Sequence, residues 1–288
     1  MRWIAPASWI RCWGSDRMTR IALLQMTSGI DPAANASAMV AAIGAAEMGG
    51  ASMLFTPEMS GLIDRERERA RANVVPEAQS PVLAAVREAA AGAGIWVAIG
   101  SIPVLRDDGR WANRAFVIDS NGGIVARYDK IHMFDVDLDT GESWRESAAY
   151  APGEEVVTVE TPAGRLGLAI CYDLRFPALF EALGKARCDV IAIPAAFTRP
   201  TGAAHWHVMQ RARAIEASAF VVAAAQVGQH QDGRETYGHS LVIDPWGDVL
   251  LDMGGEEAGL AFAELDHGRI AAVRAQLPSL ANKRAIPG

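Results

Sequence analysis

What this chain has little of narrows its class first. Cysteine is scarce: Cys12, Cys171 and Cys188 are the only three in 288 residues. An odd, low count does not make a disulfide framework, and it suits the reducing cytoplasm. Basic residues are outnumbered, 27 Lys and Arg against 34 Asp and Glu, for a formal net charge of −7. An acidic chain repels phosphate backbones, so nucleic acid is not an expected partner. Zinc-finger spacing and a dense basic stripe are both missing. No apolar run approaches the roughly 20 residues that span a bilayer, so no membrane partner is expected. There is no linker-like Gly/Ser or Pro-rich tract and no short-period repeat, which leaves one domain as the expectation.

What is present fits a globular protein with a sizeable core: 50% hydrophobic and 21% charged residues. The first 17 residues, MRWIAPASWIRCWGSDR, stand apart. Pro6 and Arg11 break the apolar centre a signal peptide needs, and the small-residue APA at 5–7 comes too early for cleavage. Residues 1–17 are therefore expected to be a non-native or disordered extension. Met18 is read as the natural start, and 18–288 as the folded domain.

From Arg20 onward, elements alternate. RIALLQM reads as a buried strand, and Asp31-Pro32 as an N-cap with proline in the first helical turn. SMLFTPE is a strand ending in a Pro-Glu turn, and Ser80-Pro81 repeats the cap signal before VLAAVREAA. IWVAIGS is a strand, and ANRAFVIDSNGGIVARYDK a hairpin turning at Asn121-Gly122-Gly123. The second half repeats this grammar: two strands in EVVTVETPAGRLGLAI, a helix in FPALFEALG with Gly184 as its expected C-cap, and a strand in DVIAIPAAF. A helix in AHWHVMQRARAIEASA, a strand in FVVAAAQ, a hairpin in GHSLVIDPWGDVLLDM, a strand in GLAFAELD and a helix from about Asp266 follow. Hairpins interrupting strand–helix alternation argue for mixed sheets.

Cys171 ends an apolar run, RLGLAI, and is followed at once by YDLRFP. By itself this suits a buried structural thiol as well as a nucleophile. A nucleophilic thiol needs a base or a positive environment. The six histidines, His132, His205, His207, His230, His239 and His267, sit in no recognisable cysteine-protease motif and read as structural or solvated. His205 and His207, two apart on a helix, face different ways and make a poor metal pair. Glu58 and Lys130 stand out instead. Like Cys171, each follows a strand, so the three are expected to converge on one edge of a sheet, where ligand crevices form. Glu58 equally suits a helix cap, Lys130 a solvated surface and Cys171 the core; their spacing does not choose.

The three windows PEMSG, YDKIHMFDVD and GLAICYDLRFP, in this order, resemble the nitrilase (carbon–nitrogen hydrolase) superfamily. The likeness continues through PAAFTRPTGAAHWHVMQRARAIEASAFVVAAAQ and YGHSLVIDPWGDVL, covering nearly all of 20–280. It implies an α/β fold of α+β type, a four-layer α-β-β-α sandwich with mixed sheets, and a homodimer or higher homo-oligomer. It also implies an amidase in which Cys171 attacks an amide carbonyl to form a thioester, with Glu58 as general base. Lys130 and the Tyr172 backbone N–H would stabilise the oxyanion. A second carboxylate is implied between Lys130 and Cys171; Glu142 and Glu146 both qualify, and Glu146 fits the pattern better. Arg175, four residues past the nucleophile, is the expected binder of a substrate carboxylate, with a salt bridge to a neighbour as its alternative. Trp206, Arg211, Arg213 and Glu216 read as packing and subunit-interface residues.

Within the superfamily, AAAQVGQHQDGRETYGHSLVIDPWG most resembles the deaminated-glutathione amidase branch. The omega-amidases, which hydrolyse 2-oxoglutaramate, are the runner-up. The contrasting reading is a silent scaffold of the same fold, against which the intact Glu58, Lys130 and Cys171 set argues. No cofactor and no metal are expected; the partner is a small-molecule amide.

Overall fold

The computed structural model describes residues 17–284 apart from Thr140 and Glu142. The expectation for 1–17 and the candidate Glu142 therefore lie outside the described residues, Arg17 excepted. In chain order, the first half holds β1 (Met18–Gln25), α1 (Pro32–Met48), β2 (Met53–Phe55), α2 (Arg67–Arg71), α3 (Pro81–Ala93), β3 (Trp96–Leu105), β4 (Trp111–Ile118) and β5 (Ile124–Asp129). A small ribbon, β6 (Asp135–Asp137) with β7 (Ser143–Arg145), follows. The second half holds β8 (Thr158–Thr161), β9 (Gly164–Leu168), α4 (Pro177–Lys185), β10 (Val190–Ala192), α5 (Arg199–Ala217) and β11 (Phe220–Ala223). The ribbon β12 (Val227–Gln229) and β13 (Glu235–Tyr237) comes next, then β14 (Leu241–Ile243), β15 (Val249–Asp252), β16 (Gly259–Asp266) and α6 (His267–Gln276).

The main strands form two six-stranded sheets, ordered β16-β1-β2-β3-β4-β5 and β15-β14-β11-β10-β9-β8. Each has three parallel strands, β1-β2-β3 or β9-β10-β11, flanked by antiparallel ones. Side-chain alternation splits the first sheet between two cores. Ile21 and Leu23 of β1 join residues of the second sheet, such as Leu166, Val190 and Val221. Ala22 and Leu24, one step out of phase, pack with Met39 and Ile43 of α1 and Leu83 and Val86 of α3. Leu179 and Phe180 of α4 and Trp206 and Ala214 of α5 close the other side. The expected α-β-β-α order is the one observed.

The caps form as the sequence implies. The Asp31 carboxylate accepts from Ala33 N at 2.9 Å, and Ser80 Oγ from Leu83 N at 3.2 Å. Gly184 is a correction. It is no cap: α4 continues to Lys185 and is capped at Ala186. A Cβ on Gly184 would lie 3.0 Å from Leu280 and 3.4 Å from the Ala217 backbone, so this glycine serves the close approach of α4 to α5 and the C-terminal segment.

Candidate active site

Glu58, Lys130 and Cys171 come together, but not along one sheet edge as expected. Glu58 follows β2 and Lys130 follows β5 in the first sheet, whereas Cys171 follows β9 in the second. The site lies where the two sheets face each other, because each strand carries its polar residue out of the shared core. Ala126 and Tyr128 of β5 point into that core, and Lys130 continues the same period-two face.

The turn carrying Glu58 is held by a bulge in β3. The β3–β4 register shifts between Ile99 and Ile102. There Gly100 N donates to Thr56 Oγ1 at 3.1 Å, Met59 N to Ser101 Oγ at 2.8 Å and Ser60 N to Ser101 O at 2.9 Å. A Cβ on Gly100 would sit 2.2 Å from Thr56 O and 2.5 Å from Pro57 C, so only glycine lets the turn pass this close. Gln226 Nε2 donates to Glu58 O at 2.9 Å and fixes the backbone from the other sheet's side. Met59 and Cys171 have φ of 57° and 48°, left-handed conformations uncommon outside glycine.

Lys130 is 2% exposed, Glu58 4% and Cys171 7%. Lys130 Nζ donates to Glu58 Oε1 at 2.9 Å and to Glu146 at 2.9 and 3.1 Å. Glu146 is thus a second carboxylate on Lys130 among the described residues, and Phe134 N donates to it at 2.7 Å. Burial alone would push the Lys130 ammonium down, but Glu146 and Glu58 outweigh it and hold it well above its ordinary range. Burial, then the Glu58 charge, pushes the Cys171 thiol well up; Lys130 opposes this without prevailing. Burial and the neighbouring Glu58 thus both favour the protonated thiol over the thiolate. Ala196 N donates to Glu58 Oε2 at 2.9 Å and also faces the thiol.

Cys171 opens the 3₁₀ turn Cys171–Arg175. Its own N–H donates to Pro194 O at 2.8 Å, and Asp173 N donates to Ile170 O at 3.0 Å. The Tyr172 N–H between them is too early in the turn to have a carbonyl partner within it. The Tyr172 ring packs edge-on to Phe134 and Phe176, with centroids 5.1 and 5.3 Å away. The Arg175 guanidinium lies 5.4 Å above the Phe197 ring and 5.9 Å from that of Tyr172, with Nη1 3.3 Å from His205 Nδ1. Among the described residues no carboxylate pairs with Arg175, so the salt bridge held open as its alternative does not form.

Two contributors escaped sequence reasoning. Asn113 Nδ2 donates to Glu58 at 2.9 Å and to Glu146 at 3.1 Å, bridging the two carboxylates. The available signal was a polar residue on the core face of β4, in phase with Ala115 and Val117. Asp173, fully buried, accepts from Tyr128 Oη at 2.6 Å, His132 N at 3.0 Å and Ile170 N at 2.9 Å. His132 Nδ1 lies 2.7 Å from it, and its ring stacks on Phe176 at 3.6 Å. This hub ties the Lys130 segment to the Cys171 turn. Arg213, read as a packing residue, is buried over Phe180 and donates to Leu174 O at 2.8 Å.

A buried carboxylate, ammonium and thiol at the seam of an α-β-β-α sandwich are the parts for covalent hydrolysis of a carbonyl–nitrogen bond. The carbon–nitrogen hydrolase family matches residues 20–275, and the chain belongs to that family. It is 38% identical over 269 residues to a deaminated glutathione amidase of Yersinia enterocolitica, covering 92% of this chain and 93% of that one. The C. elegans NitFhit protein superposes with a TM-score of 0.85 at 35% identity, over 93% of this chain and 65% of the other. An amidase from Nesterenkonia sp., captured with acrylamide added at its active-site cysteine, gives 0.76 at 27% identity over 90% and 98%.

Proposed function

We propose that this carbon–nitrogen hydrolase is an amidase with deaminated glutathione as its substrate, and that Cys171 is its nucleophile. One observation carries the chemistry: a buried thiol, pushed up by burial and by Glu58, shares its site with that buried carboxylate, which is itself held by a buried ammonium. Such a thiol attacks only when its proton leaves in the same event, and Glu58 is the carboxylate that takes it. As Sγ bonds to the amide carbon, the oxygen gains charge, which the Lys130 ammonium and the Tyr172 N–H stabilise. Collapse breaks the C–N bond, Glu58 returns the proton to the leaving nitrogen, and an acyl thioester remains. Water enters, Glu58 takes its proton, and the second tetrahedral adduct expels the sulfur, which regains its proton as the acid leaves. Glu146 and Asn113 keep Lys130 and Glu58 in register.

The substrate assignment rests on the names of relatives such as the Yersinia protein and on Arg175, a guanidinium free of any carboxylate partner among the described residues. The proposed compartment is the cytoplasm, on low cysteine count; no helix of the described residues is long and apolar enough to cross a membrane. The proposed assembly is a homodimer or larger. Val208 and Ile215 of α5 and Trp246, Val249 and Leu250 of the adjoining β14–β15 hairpin are exposed, an apolar face that a second copy would cover.

The test is hydrolysis of deaminated glutathione, 2-oxoglutaramate and neutral short amides by purified protein, with Cys171→Ala alongside. Higher kcat/KM on deaminated glutathione, abolished in Cys171→Ala, is expected. A preference for 2-oxoglutaramate makes the chain an omega-amidase. Turnover by Cys171→Ala at a tenth of the parent rate would remove Cys171 from the mechanism.

A further inference from the structure

His207, His239 and Asp252 meet away from the amide site, brought together from α5, the segment after β13 and the end of β15. Spacing alone pairs His207 with His205, which faces another way on the helix. The fold instead supplies His239 from 32 residues downstream. One ring nitrogen from each histidine and a carboxylate oxygen of Asp252 lie within 4.8 Å of one another. Both nitrogens reach one oxygen: His207 Nε2 is 3.0 Å and His239 Nδ1 3.2 Å from Asp252 Oδ2.

We propose that these three residues form a binding site for a late first-row divalent cation, zinc foremost. Zinc binds imidazole nitrogen and carboxylate oxygen at about 2.0–2.2 Å, so ligand atoms around one ion stand roughly 3.3 Å apart. Both nitrogen–oxygen separations already match this. The ion takes the place of the protons now shared between each imidazole and the carboxylate. The two rings stand 75° apart with centroids 4.9 Å apart. Two neutral imidazoles and one carboxylate suit zinc, cobalt, nickel or copper; magnesium and calcium want oxygen ligands.

The ligands are braced before any ion arrives. His239 has φ +54°, a conformation that costs free energy in a residue with a Cβ, and the Tyr237 ring stacks on it at 4.5 Å. Trp206 Nε1 donates to His239 O at 2.8 Å, tying α5 to the ligand segment one residue before His207. Asp252 Oδ1 accepts from Gly254 N at 2.9 Å, and His239 N donates to Gly254 O at 2.7 Å. In the single chain the side chains remain 24–35% exposed, which leaves room there for water as a fourth ligand.

The experiment uses the full chain with Cys12→Ser and Cys171→Ala, so that neither thiol takes the metal, after dialysis against a chelator. Zinc titration followed by calorimetry should give one ion per chain and a raised Tm. Cobalt should show the visible bands of a four-coordinate site, and magnesium should do neither. His207→Ala and His239→Ala should each weaken zinc binding by more than about tenfold. His207→Gln, which keeps a hydrogen bond to Asp252 but ligates poorly, should lose as much, and it serves if an alanine variant does not fold. Unchanged zinc affinity in His207→Gln, equal stabilisation by magnesium, or no zinc binding at all overturns the site.

Discussion

Lys130 and Glu58 form an ion pair of 2.9 Å with only 2% and 5% of their side chains exposed. Removing one partner of a buried pair leaves the other as an uncompensated charge, at a cost of about 3–5 kcal/mol. Lys130→Met strands two carboxylates at once, because Glu146 shares the same ammonium. The variant should lose that much stability at neutral pH. Turnover should fall by at least about 10²–10³, the usual loss for an oxyanion donor. Denaturant melts and steady-state kinetics check both. A variant that only raises KM would make Lys130 a substrate-binding residue.

The neutral Cys171 thiol predicts an alkaline weakness. Its pKa is raised in the folded protein, so stability is whole below the unfolded value, about 8.5, and is lost as the pH rises through the range where only the unfolded thiol ionises. The loss is about 1.4 kcal/mol per pH unit for each such group. Cys188, pushed up to about 12 chiefly by burial, contributes a second share. Cys171→Ala should therefore lose stability less steeply than the parent above pH 8.5, by about one group's share. Parallel curves would mean that Cys171 ionises at its ordinary value.

Gly100 links the bulge in β3 to the Glu58 turn. An alanine there puts Cβ 2.2 Å from Thr56 O, and a backbone atom yields only if the turn moves. Gly100→Ala should cost about 1–3 kcal/mol of stability. Its sharper effect should be on kcat, because the shifted turn carries the carboxylate that takes the thiol proton. Parent kcat at a lowered Tm would show that the bulge supports the fold and not the base.

What could be read from the sequence was what is local. Asp31-Pro32 and Ser80-Pro81 announce helix starts because capping involves only neighbouring residues. The three chemical windows were visible, but their meeting was not. Two strands of one sheet and one of another bring them together, and a meeting of residues that far apart in the chain leaves no local mark. Asn113 and Asp173 went unread for a related reason: each acts only through a partner elsewhere, Glu58 and Glu146 for one, Tyr128 and His132 for the other. Gly184 shows the opposite failure. The rule for a glycine near a helix end was sound, but here the demand came from Ala217 and Leu280, beyond any local window.

Arg175 offers the substrate test. It follows the Cys171 turn, lies over Phe197, the residue after the Ala196 N–H that holds Glu58, and meets no carboxylate among the described residues. A planar guanidinium there can take a carboxylate with two parallel hydrogen bonds, which a lysine ammonium cannot reproduce. A charged hydrogen bond contributes about 1.5–3 kcal/mol, or roughly tenfold to over a hundredfold in affinity. Arg175→Lys should therefore weaken kcat/KM for deaminated glutathione and 2-oxoglutaramate by about tenfold or more, while a neutral short amide keeps most of its rate. Kinetics on all three substrates with both proteins decide the matter. Equal losses on acidic and neutral amides would mean that Arg175 acts by packing against Tyr172 and Phe197, and the carboxylate would have to be held by another group.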